Sequence, residues 1–212
     1  MKLKIYIFLI LILSVVSCTK ETKNLPVYGR KEVTEKVINN HVIIDTINHT
    51  VKNFSFYNQD SIEVTGDTFN NSIYVADFFF TTCPTICPVM KTNLLIVYNK
   101  FSENKNVKYL SHTINPEYDN IKTLNKYAQS LNVNSETWHF VTGEIEDIYK
   151  IAKDSYMVSA LEDENEPGGF LHSGTFLLVD TNKNIRGIYD GTSRSEMSRL
   201  IRDIEILLES IS

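Results

Sequence analysis

From residue 51 onward, apolar positions alternate between short runs and longer periodic stretches. "FSFYNQDSIEVT" (54–65) alternates on either side of a polar turn at Asn58–Ser61 and reads as a β-hairpin. "SIYVADFFF" (72–80) is almost continuously apolar, as in a strand buried on both faces. Met90, Leu94, Leu95, Val97, Tyr98 and Phe101 then recur at helical spacing, with Pro84 expected in the first turn, where its missing N–H breaks no helical bond. "VKYLSHTI" predicts a strand, and "DNIKTLNKYAQSLN" a helix with Asp119 as N-cap. "WHFVTG" predicts a strand and "EIEDIYKIAKDS" a helix. A loop "LEDENEPGGFLHSG" follows, then a strand pair "TFLLVDTNKNIRGIYDG" turning at Asn182–Asn184, and an amphipathic helix from about Ser195 to Ser210. A hairpin followed by β-α-β-α-β-α-β-β-α predicts an α/β fold: a central, partly parallel sheet with helices on its faces.

The N-terminus reads differently. Two lysines precede an apolar run from Ile5 to Val16. A membrane-spanning helix needs about 20 such residues, so the run suits the core of a secretory signal. Val15-Val16-Ser17-Cys18 resembles a bacterial lipobox, in which the chain is cut before the cysteine and that cysteine is lipidated. The expected layout is a signal peptide over 1–17, a flexible tether over 18–45 anchored by lipid on Cys18, and a folded domain over 46–212. The protein is thus expected to be exported and held on a bacterial membrane, facing the periplasm or the outer side. The 212 residues fit one domain with attached segments. A net charge of -5 gives no basic footprint for nucleic acid.

Export changes the meaning of the cysteines. With Cys18 used as an anchor, the domain holds only Cys83 and Cys87, in a compartment that oxidises idle thiols. "FFFTTCPTICPVM" places this pair where the buried strand ends and a helix begins. Residues four apart share a helix face at about 5–6 Å, close enough for a disulfide after local adjustment. A helix N-terminus stabilises thiolate, which serves redox chemistry and metal binding alike. Two thiolates suit Cu(I), whereas zinc takes four ligands or three and a water. Among the histidines, His41 and His49 fall in the tether or its junction, and His112 and His139 lie within strands. His172 alone sits in a glycine-rich loop at a strand entrance, where it can reach a neighbouring site.

"DFFFTTCPTICPVM" closely resembles the Cys-Pro-x-x-Cys-Pro signature of the SCO/SenC family of thioredoxin-like copper proteins, and "LHSGTFLLVD" resembles that family's histidine segment. The likeness runs from about Val51 to the C-terminus and includes a hairpin before the first core strand. It implies a thioredoxin-like fold whose central mixed sheet is flanked by helices and extended by an N-terminal β-hairpin. It also implies copper, as Cu(I) and Cu(II), held by Cys83, Cys87 and His172. The implied role is a metallochaperone for the binuclear copper site of cytochrome oxidase, its partner a copper-accepting oxidase subunit or another exported copper protein. Some members also reduce thiols. Two segments depart from the common pattern: Leu171 stands where many relatives have aspartate, and "SHTINPEYD" replaces a "SVDP"-like stretch.

The alternative is a thiol-disulfide oxidoreductase, in which one of Cys83 and Cys87 attacks a partner's disulfide and the other resolves it. A peroxidase fits less well, since no arginine adjoins the motif. Asp77 reads either as a tuner of cysteine protonation or as a satisfied buried carboxylate. Trp138, His139 and Phe78–Phe80 read as core, Thr81 and Thr82 as the approach to Cys83, "EDENE" (162–166) as a solvated loop, and Asp190-Gly191 as a turn.

Overall fold

The computed structural model describes residues 24–38, 41–163 and 168–211. The signal peptide and Cys18 lie outside the described residues, as do positions 164–166 of the acidic run. Among the described residues, no helix is long and apolar enough to cross a membrane.

Strand β5 (Ile73–Phe79) is buried at all seven positions because it lies inside the sheet with side chains packed on both faces. It pairs in parallel with β6 (Val107–Thr113), which pairs in parallel with β7 (Trp138–Thr142). The antiparallel strands β10 (Thr175–Val179) and β11 (Ile185–Asp190) extend one side of β5. The hairpin β3 (Ser55–Asn58) and β4 (Glu63–Thr65) extends the other from β7. The resulting seven-stranded order is β11-β10-β5-β6-β7-β3-β4. This is the expected mixed sheet with its hairpin extension.

Helices α1 (Cys87–Phe101), α2 (Ile121–Leu131), α3 (Ile145–Asp154) and α4 (Arg194–Ile211) flank it. Alternation along β5 sorts its neighbours. Phe79 meets Lys91 of α1 and Tyr127 of α2, whereas Phe78 stacks on His112 on the opposite face, among Phe54, Phe56 and Tyr156.

Four details differ from the sequence reading. First, the presumed tether contains an antiparallel hairpin, β1 (Glu32–Ile38) with β2 (His41–Ile47), in register Glu32↔Ile47. Interspersed charges masked a β-branched run that favours extended chain. The segment before it is tied to the domain edge: Tyr28 N–H donates to Ile185 O at 2.8 Å, and Arg186 Nε donates to Pro26 O at 3.0 Å. Second, α1 begins at Cys87 and not near Pro84, so Pro88 takes the first-turn position and Pro84 stands in the preceding turn. Third, Asn120 is the N-cap of α2, accepting from Thr123 N–H at 3.1 Å, while Asp119 is buried. Fourth, the expected loop before β10 contains a small ladder, β8 (Ala160–Glu162) with β9 (Phe170–His172).

Candidate metal and dithiol site

The site forms where β5 ends. Beyond Phe79 the chain turns, with Cys83 N–H donating to Phe80 O at 3.2 Å, and Cys87 opens α1 four residues later. Both cysteines are buried thiols not joined in a disulfide. Cys83 Sγ lies 3.7 Å from Thr85 Oγ1. Burial pushes the Cys83 thiol up, but the N–H groups of Cys87 and Thr85 and the side chains of the same residues stabilise its thiolate, and the balance falls below the ordinary thiol range. Burial drives Cys87 well up; the Phe80 backbone opposes it in part, the hydrogen bond to and charge repulsion from Cys83 add to it, and Lys91 opposes it more weakly. One sulfur is therefore poised to ionise and its neighbour to hold a proton.

The segment bearing His172 is packed onto this turn. The Phe170 ring lies 5.1 Å from that of Phe80, Gly168 abuts Phe80 and Pro84, and Gly174 abuts Ile86. Asn93 of α1 donates to Gly191 O at 2.8 Å, and Gly191 N–H donates to Gly174 O at 2.7 Å, joining the cysteine helix to the residues just after His172. His172 closes β9 opposite Ala160, and Ser173 N–H donates to Ser159 O at 3.1 Å. The backbone of His172 thus lies between two anchor points, Phe170 and Gly174, that both touch the cysteine turn. Among the described side chains, no third histidine, cysteine or carboxylate joins the two sulfurs to form a metal-sized cluster.

Other sequence candidates resolve into supporting roles. Asp77 is a satisfied buried carboxylate, bonded to Lys91 Nζ at 2.6 Å and to Ser111 Oγ, and Trp138 Nε1 donates to Ser111 at 3.0 Å. His139 is core and touches Asn58 at 3.3 Å. His49 is buried against Ser155 O at 2.7 Å, and His41 is exposed on β2. Thr82 is exposed, whereas Thr81 donates to Asp119. Lys91 was absent from the sequence reading, and Asp119 entered it only as the expected N-cap of α2. Lys91 had a visible signal, a lone cation inside the apolar stripe of α1, four residues after Cys87.

Sheet order, helix placement and a dithiol at the start of α1 define a thioredoxin-like dithiol protein. The chain belongs to the SCO1/SenC family, whose description matches residues 45–209. A relative in Bacillus subtilis (strain 168), the SCO1 protein homolog, is 30% identical over 165 residues, which make up 77% of this chain and 85% of the relative. The crystal structure of a SCO1/SenC family lipoprotein from Bacillus anthracis str. Ames is 30% identical, with a TM-score of 0.70 over 76% of this chain and 96% of that one. BsSco, described as a Sco-family cytochrome c oxidase assembly protein with a disulfide switch, is 29% identical, with a TM-score of 0.67 over 76% and 94% of the two chains.

Proposed function

We propose that this protein is an exported copper-binding metallochaperone that supplies the binuclear copper site of a cytochrome c oxidase. The observation that carries the reading is the pair of buried, mutually hydrogen-bonded thiols of Cys83 and Cys87 at the approach to α1 and its first residue, with Phe170 and Gly174, which flank His172 in the chain, packed on the same turn. The donor set fits copper: two sulfurs for Cu(I), with an imidazole whose weight grows for the harder Cu(II). Cys83, Cys87 and His172 would hold the ion, and the partner would be a copper-accepting oxidase subunit. Lipid on Cys18 would keep the domain, residues 46–212, at the membrane where that subunit resides. Mass spectrometry of the mature N-terminus tests the anchor, because an unmodified Cys18 rules it out.

Copper titration of reduced and oxidised protein tests the function. Reduced wild type binds one copper, the disulfide form loses Cu(I), and Cys83→Ser and Cys87→Ser each abolish tight binding. His172→Ala weakens Cu(II) more than Cu(I). Reduced protein that binds no copper sinks this reading in favour of a second, a thiol-disulfide oxidoreductase. The opposite protonation preferences of Cys83 and Cys87 favour that alternative, since an attacking thiolate and a resolving thiol need such a difference. A mixed disulfide trapped through Cys87→Ser, in a protein with no copper affinity, would establish it.

A further inference from the structure

We propose that Asp119 is the positioning residue that fixes the Cys83 arm of the dithiol. The inference rests on Cys83 and Cys87 acting as the paired sulfurs of the reading above. Asp119 is fully buried, although its neighbour Tyr118 is exposed. Its Oδ2 accepts the Thr81 backbone N–H at 2.9 Å and the Thr113 hydroxyl at 2.6 Å, and its Oδ1 accepts the Thr81 hydroxyl. All three donors are neutral. Asp119 N–H in turn donates to Asn115 O at 2.9 Å, and Asn115 N–H donates to Thr113 Oγ1 at 3.1 Å, so the carboxylate sits on a closed turn at the end of β6.

The two sulfurs therefore have separate supports. Cys87 is the first residue of α1, which Lys91 and Asn93 tie to the sheet and to Gly191. Cys83 belongs to the irregular turn after β5, and Thr81, two residues earlier, has left the strand ladder. Its N–H finds its partner in Asp119, which binds the start of the cysteine turn to the rim of β6. A carboxylate serves here because one residue must accept from a backbone N–H and two hydroxyls at once. Without it, the Cys83 sulfur samples a wider range of positions relative to Cys87. That spread lowers the effective concentration of one thiol towards the other, and of both towards a shared ion.

The test uses the full chain with Asp119→Asn, Asp119→Ala and, as a route that leaves the carboxylate in place, Thr113→Val. The dithiol reduction potential, measured without copper in thiol redox buffers, rises in each variant, because a less pre-organised disulfide is easier to reduce. Asp119→Ala loses at least tenfold in disulfide stability, equivalent to about 30 mV for a two-electron couple. Asp119→Asn, which keeps one oxygen for Thr81, shifts less. Bound Cu(II) in the same variants shows an altered sulfur-to-copper absorption band. A lowered melting temperature with potential and absorption both unchanged overturns the proposal and leaves Asp119 a purely structural residue. If Asp119→Ala does not fold, Asp119→Asn and Thr113→Val decide. Wild type that binds no copper removes the copper reading, while the potentials still decide the role of Asp119.

Discussion

The Lys91 ammonium lies 2.6 Å from the Asp77 carboxylate, one helical turn beyond Cys87 and shielded from solvent, and it also rests 4.3 Å from the centre of the Phe79 ring. The pair spans from the middle of the sheet to the helix that starts the dithiol site. Ser111 bonds to both partners, so each has hydrogen-bonding company as well as opposite charge.

Breaking that pair leaves an uncompensated charge in the core. Asp77→Asn or Lys91→Met is expected to destabilise the protein by about 3–5 kcal/mol, and the double change Asp77→Asn/Lys91→Met by less than the sum of the two. Urea unfolding at neutral pH measures all three. Additive losses would show that the pair's attraction contributes nothing.

Two buried imidazoles give the fold a pH dependence of known sign. His112 has neither ring nitrogen paired among the described residues, and burial pulls its pKa down to about 3. His139 is pulled down to about 4, chiefly by burial, with Lys108 adding to the effect. Above the unfolded value of about 6.5 both states are neutral and stability does not change. As pH falls below it, the unfolded chain takes up protons that the native state refuses, so stability is lost down to the folded pKa values. From pH 6.5 to 5 each histidine contributes a loss of about 2 kcal/mol. His112→Phe, which keeps the stacking on Phe78, should flatten the slope by roughly half; an unchanged slope assigns the effect to other groups.

What could be read in the sequence was what is local. Cys83 and Cys87 lie close in sequence, and strand-helix alternation from Ile73 to Asp190 follows from apolar spacing alone. The functions of Lys91 and Asp119 depend on residues 14 and 38 positions away, which no local period reveals. Asp119 was misread as a cap because a carboxylate just before a helix suits either use, and only the folded chain shows Asn120 taking the cap. The β1–β2 hairpin was missed for another reason: Glu32, Glu35, Lys36 and Asp45 made a β-branched stretch look like a solvated tether.

Gly168 offers a direct test of the His172 segment. Its φ is +87°, and a Cβ there would lie 2.9 Å from Cε2 and Cζ of Phe80. Gly169, at +83°, has open space around the same atom, so it suffers the backbone strain without the collision. Both alanine variants should lose about 1–2 kcal/mol from the left-handed conformation. Gly168→Ala alone should also lift the segment from the cysteine turn and weaken Cu(II) binding severalfold in titrations. Equal copper affinity in the two variants would separate the Gly168 contact from the site.

The two thiols should differ in reactivity, and the order follows from their surroundings. Cys83 sits in the turn, where burial opposes ionisation but the N–H groups and side chains of Cys87 and Thr85 together outweigh it and favour its thiolate. Cys87 opens α1 from a position where burial dominates. Alkylation proceeds through thiolate, so at pH 7 the Cys87→Ser variant, which retains Cys83, should react at least tenfold faster with iodoacetamide than Cys83→Ser, which retains Cys87. Stopped-flow labelling with mass spectrometry over pH 5–9 gives both rates and the titration of each sulfur. On the oxidoreductase reading, the same order would make Cys83 the attacking sulfur and Cys87 the resolving one. Faster reaction at Cys87 would reverse that assignment and show that access to the helix start outweighs the backbone donors around Cys83.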